Sequence, residues 1–68
     1  MKLIEQKWNR HLWQHENTWI ADSVDEIPTN FDPNSATGSV IFVIGAGATY
    51  MKNTEGKWQK VGTTEVIA

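Results

Sequence analysis

"GSVIFVIGAGATYMKNTEGKWQKVG", residues 38–62, is the stretch on which the fold turns. Its first part, Ser39 to Ile44, is rich in β-branched and aromatic residues, too short for a helix, and bounded by Gly38 and Gly45. Such a run reads as a strand buried on both faces, hence at the centre of a sheet. "ATYMKN" and "KWQKV" follow as two more strands, joined by a tight turn from Asn53 to Gly56. Asn opens turns of this kind by bonding its own backbone, and Gly supplies the positive φ that closes them. The spacing predicts an antiparallel meander over approximately 39–44, 48–53 and 57–62.

Within that stretch, "FVIGAGATY", residues 42–50, poses a question, because an apolar strand running into Gly-x-Gly is how many nucleotide sites begin. A dinucleotide fingerprint needs a third glycine where Tyr50 stands, so that a following helix can pack on the sheet. "MKNTEGKW" breaks any such helix at once, and the 18 residues after Tyr50 fall short of a βαβ unit of about 30. No Gly-Lys-Ser/Thr follows either. Gly45 and Gly47 therefore read as turn residues, both free to take positive φ, and no cofactor is expected.

Upstream, "TWIADSVDEIP" places Trp19, Ile20 and Val24 ahead of Pro28, which fits a short edge strand over 19–24. "TNFDPNSATG" is a loop by composition. In residues 1–18, Ile4, Trp8 and Leu12 recur every four positions, a spacing that suits one face of a helix and the two-residue period of a strand alike. The segment is read as a helix, or as an extended arm that orders against a partner. The expected protein is thus mainly β, a three- to four-stranded antiparallel sheet domain over 19–68 preceded by an N-terminal helix or arm over 1–18.

The chain has 68 residues, no cysteine and a net charge of −2. A domain this size buries only about 60% of its unfolded surface, and it has no disulfide or thiolate cluster to compensate. Association is the remaining source of stability. Charge is unevenly spread: +2 over residues 1–15, −5 over 16–37 and +1 thereafter. No net basic face arises, so nucleic acid is not an expected partner. The longest apolar run, Val40 to Ile44, is far too short for a membrane span, and no secretory leader is legible at the amino terminus.

Catalytic patterns are missing from the sequence. There is no cysteine nucleophile and no G-x-S-x-G elbow, and His11 and His15 stand four apart beside Glu16 without the H-E-x-x-H pattern or a placeable third ligand. Neither catalytic residues nor a metal site is expected, and "DPNSATG" lacks the EF-hand register, so it reads as a plain loop. The four tryptophans, with Tyr50, Phe31 and Phe42, carry more promise. Aromatic side chains serve thin cores, subunit interfaces and sugar-stacking platforms equally well. The residues expected at an interface are Trp8, Leu12, Trp13 and Trp19; the alternative, a glycan platform, would use Tyr50 and Trp58.

Taken together, "VDEIP", "GSVIFVI" and "TYMKNTEGKWQKVG" resemble a small β-module of tailed bacteriophages that infect Gram-positive hosts. That module has a Val-Asp/Glu-x-Leu/Ile-Pro entry, a Gly-led apolar strand, and a Tyr-Met-x-Asn hairpin closed by Gly-x-Trp. The likeness covers roughly residues 19–62, whereas "KLIEQKWNRHLWQHEN" departs from it. It implies a non-enzymatic, virion-associated structural protein of fibre, decoration, head or tail accessory type, assembled in the host cytoplasm. It also implies contact with other phage structural proteins and a homo-oligomer, a trimer among the arrangements allowed. Two other functions remain open at this level: a carbohydrate-binding module for a host cell-surface glycan, and a small phage-encoded inhibitor of a host protein.

Overall fold

The computed structural model describes residues 1–67; residue 68, the last of the expected sheet domain, lies outside the described residues. The chain forms a six-stranded sheet in sequence order: β1 (Lys2–Asn9), β2 (Gln14–Ala21), β3 (Val40–Val43), β4 (Ala48–Lys52), β5 (Trp58–Lys60) and β6 (Val66–Ile67). Mainly β is the architecture the sequence suggests, and β3, β4 and β5 make the antiparallel meander. Three expectations need correction. Residues 1–18 form no helix: β1 and β2 are paired strands of a hairpin. The sheet has six strands rather than three or four. It is also mixed, because β2 and β3 run parallel, Trp19 opposite Ile41 and Ala21 opposite Val43.

The parallel pair has a physical origin in the connection. Parallel neighbours require a crossover of a dozen residues or more, and residues 22–39 supply it. The crossover starts with a single 3-10 turn, Val24–Glu26, held by a capping box. Ser23 Oγ accepts from the Asp25 N–H at 3.1 Å, and Glu26 Oε2 accepts from the N–H groups of Asp22 and Ser23 at 2.9 and 3.1 Å. Ser-x-x-Glu is the residue pattern such a box demands. Pro28 and Pro33 then keep the chain out of regular structure while it crosses one face of the sheet.

That face is the core. Ala21, Ile41, Val43, Tyr50 and Trp58 are buried together, and Val24, Ile27 and Phe31 of the crossover pack on them with Trp19, Ala48 and Ile67. β3 is consequently covered on one side only: Ile41 and Val43 are inaccessible, whereas Phe42 between them is 43% exposed. An unbroken apolar run predicts burial on both faces, and only one is covered. The second layer that would cover Phe42 is not there among the described residues.

The turns answer the glycine question. Residues 44–47 are the reversal between β3 and β4, and a strand follows them rather than a helix. Gly47 has φ +60° and its N–H donates to Ile44 O at 3.2 Å. Gly45 is glycine for another reason than the one expected: its N–H donates to Asp22 O at 2.9 Å, and a Cβ there would collide with that oxygen. In the β4–β5 turn Asn53 Oδ1 accepts from the N–H groups of Glu55 and Lys57, and Gly56 has φ +78°, as Asn-x-x-Gly chemistry anticipates. After Gly62 the chain turns back, and Val66 and Ile67 pair onto Gln59 and Trp58 as β6.

Candidate functional site: the aromatic tip of the β1–β2 hairpin

β1 and β2 are joined by the turn Arg10–Trp13, whose four residues are all exposed and none of which belongs to the buried cluster. Asn9 builds the turn. Its Oδ1 accepts from the N–H groups of His11 and Leu12, both at 3.0 Å, and its Nδ2 donates to Glu16 across the hairpin. A short polar side chain folding back on the backbone ahead of it is the Asx device for starting a turn. Trp13 ends the turn at φ 54°, in the left-handed region.

Three aromatic rings meet at this tip. Trp8 and Trp13 are edge-to-face with centroids 6.0 Å apart, and His15, opposite Trp8 in the ladder, is edge-to-face with it at 5.0 Å. Trp8 and Leu12 are each about half exposed and Trp13 is 77% exposed. The end of the hairpin thus exposes a pair of packed indoles and, in the same turn, Leu12, with Arg10, His11 and Gln14 as polar neighbours along the chain. Among the described residues no three His, Asp or Glu side chains gather at metal-binding distance, and no helix is long and apolar enough to cross a membrane.

The other residues singled out from sequence lie elsewhere. Trp19 stands apart from the tip; its ring packs edge-to-face on Phe31 at 5.0 Å, and its Nε1–H donates to Asp32 Oδ2 at 3.0 Å. Tyr50 and Trp58 are buried, with relative exposures of 3% and 0%. Trp58 Nε1–H donates to Phe31 O at 2.9 Å beneath the crossover. Neither ring offers a face to a sugar, so a glycan platform on these two residues does not fit this arrangement. Nothing in their sequence neighbourhood separates core aromatics from surface ones; strand parity does, because Tyr50 and Lys52 alternate with exposed Met51.

A second cluster was not legible at all. Lys52 is buried, and its ammonium donates to Asp32 O at 2.8 Å and to Ser35 O and Oγ, both at 3.1 Å. Burial pushes its pKa below the ordinary lysine value, with the Asp32 carboxylate acting in the opposite sense. That carboxylate accepts from Asn17 Nδ2 at 2.9 Å as well as from Trp19. The "DPNS" loop therefore does arrange oxygens around a cation, and the cation is the chain's own lysine. Among the described residues no buried side-chain nitrogen or oxygen is left without a partner, so this network is complete and structural.

Comparison of the chain with protein families, curated proteins and solved structures finds no match in any of the three. The functional reading therefore rests on geometry and on the residues themselves.

Proposed function

We propose that the chain is a non-enzymatic structural module that works by protein–protein contact, with Trp8, Leu12 and Trp13 as its docking surface. The partner class comes from the sequence resemblance: another structural protein of a tailed-phage particle, with the chain serving as a fibre, decoration, head or tail accessory component of the virion. Trp19 lies outside this docking surface, its ring and N–H being engaged within the fold.

The observation that carries the reading is Trp13. A non-glycine residue in the left-handed region costs about 1–2 kcal/mol, and Gly or Asn would occupy that turn position more cheaply. Here the position holds the largest apolar side chain available, 77% exposed. Folding gains little from it, whereas an interface would gain a great deal, because binding hot spots favour Trp in centres that become desolvated. The edge-to-face contact with Trp8 restricts the Trp13 ring on one side, which lowers the entropy cost of docking.

A photo-crosslinking amino acid in place of Trp13 tests this directly. In assembled particles, irradiation should join the chain to one structural protein of the particle, identified by mass spectrometry. Absence of the wild-type chain from purified particles would refute the virion role. A crosslinker at position 13 that captures only water in particles containing the chain would refute the docking surface.

A further inference from the structure

β1 is an edge strand. Seven of its eight residues have a ladder partner, all of them in β2, whereas the opposite edge, β6, is two residues long. Lys2 to Trp8 are all exposed. An edge of this length presents a row of unpaired backbone N–H and C=O groups, which proteins commonly guard with lysines and bulges. β1 has both, at Lys2, Lys7 and the register shift between Leu3 and Glu5, yet its charges are arranged in a self-complementary way.

We propose that β1 pairs antiparallel with β1 of a second copy, about a twofold axis through Gln6, joining two six-stranded sheets into one. Register decides the matter. With the axis at Gln6, Glu5 faces Lys7 of the second copy and Lys7 faces its Glu5. Shifting the axis by one residue to Glu5 opposes two carboxylates, and shifting it to Lys7 opposes two ammonium groups; like charges directly opposed destabilise a ladder. An in-register parallel pair would set every charge against its own kind. The three central pairs lie wholly within the regular segment Glu5–Asn9 of both copies, so the bulge at Ile4 limits the ladder without interrupting it.

An edge pairing of this length buries less than the roughly 1,200 Å² of a stable complex, so the dimer is weak and concentration-dependent. It goes beyond the docking role: Leu12 and Trp13 lie outside the paired segment, Trp8 at the end of β1 adjoins both surfaces, and the dimer carries one aromatic tip at each end of the joined edge.

Sedimentation over about 10 μM to 1 mM protein tests the register. Wild type should pass from monomer to dimer. Glu5→Lys and Lys7→Glu should each weaken dimerisation by about tenfold or more, since each converts both charge pairs to like pairs. An equimolar mixture of the two variants should recover it, because the two ammonium groups of one copy then face the two carboxylates of the other across the axis; this recovery also shows that both variants are folded. A wild type that stays monomeric throughout, single variants that dimerise like wild type, or a mixture that stays monomeric would each overturn the proposal.

Discussion

Replacing Lys52 with Met keeps the side-chain stem and removes only the ammonium, which makes it the sharpest probe of how the crossover is held down. Three hydrogen bonds disappear, to Asp32 O, Ser35 O and Ser35 Oγ. They are not equivalent. Asp32 O keeps donors from the Ser35 N–H and hydroxyl, but Ser35 is buried and its carbonyl is left with no donor. Hydrogen bonds from a charged donor contribute about 1.5–3 kcal/mol each, and a bare buried acceptor costs about 1–3 kcal/mol. Against this stands relief from burying the ammonium, which amounts to several kcal/mol for an isolated ion and less here, since Asp32 partly offsets it. Buried charges are often replaced by apolar groups at no loss when both partners go together; here the carbonyls stay behind. With that relief set against the lost bonds, the net loss is governed by the bare Ser35 carbonyl at about 1–3 kcal/mol, and for a chain of this length that lowers the melting temperature by about 5–20 °C. Thermal unfolding followed by circular dichroism measures it. A Lys52→Met variant that melts within about 3 °C of wild type, or above it, would refute the view that Lys52 clamps the Asp32–Ser35 loop.

Other substitutions probe separate parts of the fold. Trp58→Phe leaves a cavity in the core and deprives Phe31 O of its donor; an expected loss of about 2–4 kcal/mol should appear as a lower urea midpoint with an unchanged slope. Gly45→Ala should destabilise more than Gly47→Ala, since the first drives a methyl group into Asp22 O and the second only strains a positive φ in open space; equal effects in parallel melts would contradict the close approach. Stability at high pH follows from two groups of opposite sign. Burial, aided by the Glu65 carboxylate, raises the Tyr50 pKa above 10.0, so the folded state holds that proton more tightly and stability falls as pH rises past 10.0. Burial lowers the Lys52 pKa below 10.5, so its penalty applies at neutral pH and is relieved as pH climbs towards 10.5. Urea midpoints between about pH 8 and 11 should therefore decline less in Tyr50→Phe than in wild type, and a steeper decline would count against the assignment.

The meander was readable because each of its parts is local. "VIFVI" flanked by glycines, and the turn from Asn53 to Gly56, act through their own backbone. Residues 1–18 were not readable by period, because Ile4, Trp8 and Leu12 satisfy two periods at once, and the first strand of the hairpin is exposed on both faces so no alternation marks it. Asn9 was the missed signal, a turn starter midway between two runs carrying Trp. The parallel pairing of β2 and β3 depends on where an eighteen-residue connection travels, and the Ser23–Glu26 box hints only at how it begins. Of the aromatic and apolar residues read as a site, Trp8 and Trp13 come together and the exposed Leu12 precedes Trp13 in the same turn, while Trp19, Tyr50 and Trp58 belong to the core or its margin. Lys52 shows the limit most clearly. A lysine followed by Asn and Thr looks like any solvated strand end, and only the folded crossover reveals that its ammonium has carbonyls to meet.

The central claim is that the hairpin tip serves contact rather than folding. It is tested most directly by a Leu12→Ser/Trp13→Ser double variant, scored at once for melting temperature and for its amount in purified particles. Melting within about 3 °C of wild type, with the chain gone from the particles, is the result expected here. A variant that unfolds on warming far below wild type, or one that enters particles at the normal level, would show that the two side chains belong to the fold or to no interface.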